Sequence, residues 1–273
     1  MEQNCGSDQI ELEGTYPLVE LAEKRLLKIK RVLLVASGKG GVGKSLIAAS
    51  IALKFAERGY RVGLLDLDLH GPTSHAVLGA RADLESSREG LEPIVARGVK
   101  LMSVAFFVGN SPLPLRGETK RDLVVELLGV TNWGELDLLV IDLPPGTGDE
   151  VLAILRVLGE RCRALVVTTP SALSLGVVRR LLELFKDEGV EVLGVVENMA
   201  YLSVGGQLVE PFGSSRSEEL GVKLLGRIPL DPGVERALSK GLPPTSSPAF
   251  SESLDELCNR LERALELLGQ RSF

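Results

Sequence analysis

The octapeptide Gly38-Lys39-Gly40-Gly41-Val42-Gly43-Lys44-Ser45 constrains the fold of this chain more than any other stretch. It follows an apolar run at residues 31–37 and precedes a helical pattern that opens at about Lys44. It fits the G-x-x-x-x-G-K-[ST] phosphate loop in the strand–turn–helix context that the motif requires. Glycines remove the side chains that would keep a bulky anion away from the backbone. The N–H groups of Gly38, Gly40, Gly41, Val42 and Gly43 can then converge on a polyphosphate, and the helix N-terminus adds partial positive charge. Lys44 is predicted to reach the β- and γ-phosphates, and Ser45 to ligate Mg²⁺ through its hydroxyl. The implied ligands are ATP and Mg²⁺.

The rest of the chain reads as alternating strands and helices. Strand-like runs lie at 31–37, 61–67, 99–105, 136–143, 164–168, 190–197 and 223–228. Most are continuously apolar, as expected of parallel strands covered on both faces. Helical patterns lie between them at 44–58, 120–128, 149–158, 175–188 and 232–240. The expected fold class is α/β: a three-layer P-loop NTPase fold with a mostly parallel central sheet and helices on both faces. Nucleotide then belongs at the carboxyl edge of the strands.

Three parts are expected along the chain: an N-terminal tail and short helix (1–30), an ATPase domain (31–243) and a C-terminal helix docked on that domain (244–273). The segment 17–30 has the spacing of a short amphipathic helix packed on the domain. The C-terminal segment carries leucines at 254, 257, 261, 265 and 268. Its polar face holds five acids and two bases, whereas a membrane-surface helix is basic there. A net charge of -6 argues against nucleic-acid binding. The chain has no apolar run long enough to span a bilayer and no signal-peptide pattern at its acidic start, so a cytoplasmic location is expected. Cys5, Cys162 and Cys258 are scattered, with no zinc or disulfide pattern.

Three strand ends carry further chemistry. Asp66 and Asp68 close one apolar run, and alternation puts them on one face at the carboxyl edge. Either can orient an attacking water or hold a magnesium-bound one, with Asp68 preferred for the water and Asp66 as a metal ligand. His70 and His75 follow, each read as a loop hydrogen-bonding residue. Asp142 ends a Walker-B-type run and is expected to hold Mg²⁺ through water. Pro144 and Pro145 stiffen the loop after it, where it can sense a γ-phosphate, and Asp149 is placed to cap the next helix. Asn198 has an amide that matches an adenine edge, and Pro229 and Asp231 are placed to close over the base.

Lys39 adds a second lysine to the loop. In this the chain resembles the deviant-Walker ATPases, the relatives of MinD and ParA, and the resemblance implies a homodimer that sandwiches ATP, with Lys39 acting in trans on phosphate charge. The wider pattern resembles the Mrp family of iron–sulfur cluster carrier ATPases from about residue 30 to 243. It rests on SGKGGVGKS (37–45), DLDLHGPT (66–73), GVKLMSVAF (98–106), LRG (115–117), WGELDLLVIDLPPGTGDE (133–150), VTTPSALSLGVVRR (167–180), GVVENMAY (194–201) and LLGRIPLDP (224–232). Membership implies slow ATP hydrolysis and a role in building clusters or passing them to an apoprotein or scaffold partner; a cysteine-bearing paralogue is a further candidate partner for this chain. The family pattern also places a C-x-x-C after N-M-x-Y, so that two subunits bridge a [4Fe–4S] cluster. Here residues 198–207 contain no cysteine; Ser203 stands near that position. A neutral hydroxyl is a poor substitute for a soft thiolate. A nucleotide-gated switch of the MinD or ParA kind, docking a protein partner without a cluster, is the alternative.

Overall fold

The computed structural model describes residues 16–69, 71–80, 84–107, 120–205, 207–215 and 217–267. Cys5, His70, Leu268 and the LRG motif at 115–117 lie outside the described residues. Helix α1 (Tyr16–Leu26) leads to β1 (Val32–Ala36), α2 (Lys44–Glu57), β2 (Val62–Asp66) and α3 (Ser74–Leu78). Next come β3 (Glu85–Ser87), β4 (Gly90–Glu92), β5 (Ile94–Ala96), β6 (Val99–Ser103), α4 (Lys120–Val130) and β7 (Leu138–Asp142). Then follow α5 (Asp149–Leu158), β8 (Cys162–Thr168), α6 (Ala172–Asp187), β9 (Glu191–Glu197), β10 (Leu202–Val204) and β11 (Gln207–Val209). The chain closes with β12 (Leu224–Arg227), α7 (Pro232–Leu238) and α8 (Pro248–Ala264).

All seven apolar runs enter one eight-stranded sheet of order β12-β9-β8-β1-β7-β2-β6-β5. Those seven strands are parallel, and β5 adds an antiparallel edge. β1, β2 and β7 are buried along their whole length, which is why they lack alternation. Helices cover both faces: α2 packs with α3 and α8, while α1 packs on α4 and α4 on α5.

Helices α1 and α8 both join this body. Ala22 and Leu26 of α1 are buried, and Arg25 donates to Asn132 Oδ1 at 3.0 Å and to the Glu89 carbonyl. In α8 the leucine stripe Leu254, Leu257 and Leu261 is fully buried with Cys258. Its polar edge binds α2 through Lys54–Asp255 at 2.9 Å and Arg58–Glu262 at 3.2 Å, beside the Tyr60 hydroxyl donating to Glu262 at 2.5 Å. Among the described residues no helix is long and apolar enough to cross a membrane.

Four features lie beyond the sequence pattern: the short helix α3, the edge strand β5 and the hairpins β3–β4 and β10–β11. Two expectations are corrected. His75 lies in α3 and not in a loop, and its Nδ1 is buried without a hydrogen-bond partner. Gly148 stands at the N-cap of α5, and Asp149 is the first helical residue, where its charge faces the helix dipole without capping an N–H.

Candidate nucleotide site

The parallel order brings the ends of β1, β7 and β2 side by side. Val35 pairs with Asp142, and Asp142 pairs in turn with Asp66 across β2–β7. The phosphate loop leaves β1 at this edge. Gly41 and Gly43 take φ of 77° and 80°, the left-handed region that favours glycine. Gly43 is the N-cap of α2, and no side chain caps that helix. The first-turn N–H groups of a helix so begun are open to an anion.

The loop is braced from three sides. α6 presses so closely that a Cβ on Gly38 would lie 3.0 Å from the Val177 backbone. The Gly146 N–H donates to the Ser37 carbonyl at 2.8 Å, tying the proline loop after β7 to the end of β1. Asn198, buried at the end of β9, donates its side-chain amide to the Val42 carbonyl at 2.9 Å.

Lys44 is buried, and its ammonium lies 2.5 Å from Asp142 Oδ1, 3.5 Å from Asp68 Oδ2 and 3.3 Å from Ser45 Oγ. Asp66 lies fully buried beside this group and accepts the N–H groups of Asp68 and Ser74, each at 3.1 Å. Burial raises the Asp66 carboxyl above its ordinary value, against those two backbone bonds. Burial also lifts Asp142 to about 6; the Lys44 ammonium opposes that rise and the Asp66 charge adds to it. Asp142 Oδ2 is buried with no hydrogen-bond partner.

Three carboxylates around one ammonium leave an excess of negative charge, with one orphaned oxygen and the Ser45 hydroxyl close by. That donor set suits a hard divalent cation. No group of three or more His, Cys, Asp or Glu among the described residues is arranged to enclose a metal.

Lys39 is half-buried in the loop, and its ammonium makes no hydrogen bond or ion pair with any described residue. Pro229 is buried behind β12, next to Ile228, which exchanges backbone bonds with Glu197 and Ala200 and so lies beside the Asn198 turn. Asp231 is occupied structurally. It is the N-cap of α7, accepting from Gly233 N at 2.8 Å, from the Ser247 hydroxyl at 2.5 Å and from Phe250 N at 3.3 Å. An Asp directly before a Pro-Gly pair carries that signal in the sequence.

The described cysteines do not form a cluster site. Cys162 and Cys258 are buried, and burial pushes both thiols up to about 12. The place where the family pattern puts its C-x-x-C is the hairpin β10–β11, with Val204, Leu208 and Val209 exposed. Neither described cysteine lies in that hairpin.

Sheet order, loop and strand-end carboxylates define a P-loop nucleotide-binding protein. Residues 28–263 match the family model described as ParA: NUBPL iron-transfer P-loop NTPase, and the chain belongs to that family. It is 35% identical to an iron-sulfur cluster carrier protein of Saccharolobus solfataricus, over 90% of this chain and 86% of that one. It is 40% identical to the cytosolic Fe-S cluster assembly factor NUBP2 of Rattus norvegicus, over 79% and 85%. Among solved structures, a nucleotide-binding protein from Archaeoglobus fulgidus in complex with ADP superposes with a TM-score of 0.76 at 34% identity, covering 86% of this chain and 96% of that one. The cell-division ATPase MinD of Pyrococcus furiosus, at 22% identity and a TM-score of 0.66 over 85% and 98%, shares the fold.

Proposed function

We propose that this chain is a slow, cytoplasmic ATPase of iron–sulfur cluster assembly that works as a homodimer with Mg·ATP between its subunits. The observation that carries the reading is the caged Lys44 at the start of an uncapped helix, among carboxylates with one unpaired oxygen. The relatives' names, cluster carrier and cluster assembly factor, supply the biological direction.

In this reading the amides of residues 38–45 bind the polyphosphate, and Lys44 exchanges its pairing with Asp142 for the β- and γ-phosphates. Ser45, Asp142 through water, and Asp66 would hold Mg²⁺, which would offset phosphate charge. Asp68, or Asp66, orients the attacking water. Lys39 stabilises the charge developing on the partner subunit's nucleotide. Asn198 and Pro229 lie against the base. Hydrolysis relaxes the loops after β2 and β7 and changes affinity for an apoprotein, a scaffold or a cysteine-bearing paralogue that supplies the thiolates this chain lacks in its hairpin.

A second reading has one observation in its favour: the hairpin exposes aliphatic side chains where the family pattern has cysteines. On that reading the chain is a MinD- or ParA-like switch that docks a protein partner and carries no cluster.

Lys39→Ala tests the catalytic dimer. Turnover should fall by about two orders of magnitude or more, with folding stability unchanged and dimerisation by ATP weakened. Intact turnover and dimerisation would remove the trans role of Lys39.

A further inference from the structure

Glu197 is a fully buried carboxylate that the nucleotide site does not use. It ends β9, directly before Asn198, and the backbone of the pair is fixed on both sides: Asn198 N donates to the Thr168 carbonyl at 2.7 Å, and Ile228 N to the Glu197 carbonyl at 2.8 Å. The two side chains hold different parts of the protein. Asn198 reaches the phosphate loop at Val42, and a Cβ on Gly43 would lie 2.2 Å from its Nδ2. Glu197 Oε1 accepts the hydroxyls of Ser215 at 2.7 Å and Ser217 at 2.6 Å, while Oε2 accepts from Arg227 Nε at 3.2 Å. Arg227 also binds Glu210 at 2.7 Å and lies over the Tyr201 ring.

Glu197 thus clasps both ends of the excursion between β9 and β12 that carries the hairpin β10–β11. The hairpin itself has little holding of its own. All three residues of β11 are exposed, Leu208 is 72% exposed, and Phe212 is exposed beyond it. A two-stranded hairpin is marginal without cover, and segments with few buried contacts open first. The residue after the pair, Met199, takes a φ of 55°, in the left-handed region. That strained turn lies against Gly43, with Met199 Cε 3.6 Å from where its Cβ would be. The phosphate loop cannot shift here without displacing Asn198 or breaking its bond to Val42.

We propose that Glu197 and Asn198 form a mechanical link by which occupancy of the phosphate loop sets the position and stability of the hairpin excursion, with Glu197 as a positioning residue. Nucleotide acts on Asn198 through the loop. The fixed backbone carries the constraint to Glu197, which holds Ser215, Ser217 and Arg227. The proposal rests on the nucleotide reading above and adds the element that nucleotide controls.

The test is hydrogen–deuterium exchange of the full chain with and without Mg·ADP. In the native chain the nucleotide should slow exchange both at residues 38–47 and at residues 202–215, the latter by about fivefold. In Glu197→Gln, which keeps the shape and loses the charge, the loop should still be protected while the response at 202–215 falls away. Ser217→Ala, on the far side of the clasp, should give the same split and serves if the first variant does not fold. Protection of the loop with an unresponsive excursion in the native chain, or an unaltered response in the folded variants, would overturn the link and leave nucleotide binding standing. No protection of the loop would overturn both.

Discussion

Replacing Gly43 by alanine tests the packing of the site at one atom. Gly43 sits at φ 80° and ψ 23°, where an L-residue costs about 1–2 kcal/mol relative to a right-handed conformation. The added Cβ would also lie 2.2 Å from Asn198 Nδ2, so the amide must retreat and abandon the Val42 carbonyl at 2.9 Å. Losing that buried bond adds about 1 kcal/mol. The expected total is about 2–3 kcal/mol of global stability. Urea unfolding followed through Trp133, the chain's one tryptophan and fully buried, reads this as a shift in midpoint at constant slope. The two contributions separate in an Asn198→Ala background, where the amide is already gone and only the backbone cost remains. Gly43→Ala should therefore cost about 1 kcal/mol less there than in the native chain. An equal cost in both backgrounds would show that Asn198 does not pack on the loop, and a cost below about 0.5 kcal/mol in the native chain would remove the strain argument as well.

Two further outcomes follow from the ionisable groups. Asp142 is lifted from 3.8 to about 6 in the folded chain, so the folded state holds a proton that the unfolded state has released between those values; its contribution is full below about pH 4 and is lost as pH rises through about 6. Asp142→Asn should remove that contribution, so the difference in nucleotide-free stability between native and variant should vary across this window in the stated direction, and a difference flat from pH 4 to 7 would refute the assignment. With their thiols raised to about 12 and both side chains buried, Cys162 and Cys258 should resist iodoacetamide in the folded chain at pH 8 and react once it is unfolded, as read by peptide mass. Rapid labelling of either in the folded chain would show that its burial is incomplete.

The parts legible in the sequence are those whose signal is local. β1, β2 and β7 are buried along their whole length and apolar up to their carboxyl ends because each is covered on both faces, and the runs at 31–37, 61–67 and 136–143 expose that directly. The glycine loop is a local pattern too. What the sequence hides is order. Lys44 and Asp142 are 98 residues apart, and they meet because β7 enters the sheet between β1 and β2. No periodicity in either strand states that insertion. The hairpins escaped for another reason: strands of three residues show too little alternation to be told from loop. Asp231 escaped although its cap signal was present, since a strand-end aspartate also fits a ligand contact. Glu197 left no signal, because a carboxylate closing an apolar run shows neither its partners nor its burial.

The hairpin β10–β11 bears most directly on how this chain differs from its family pattern. A bridging cluster needs soft thiolates from each subunit at a shared edge. Here Ser203 stands near that position, in a hairpin that exposes Val204, Leu208 and Val209, and the two described cysteines lie in the core. By contrast, the residues proposed to bind nucleotide lie together at one sheet edge: the open helix start, the caged lysine, the strand-end carboxylates and Lys39. On the proposed reading, such a chain supplies the ATP-dependent step and leaves the metal chemistry to a partner. Anaerobic reconstitution with iron and sulfide, counted per dimer in protein that still hydrolyses ATP, decides between the two divisions of labour. A chain that binds no cluster by itself but gains one when mixed with a cysteine-bearing relative fits the shared arrangement. A stoichiometric cluster on this chain alone would place thiolates outside the described core and return the carrier role to a single subunit type.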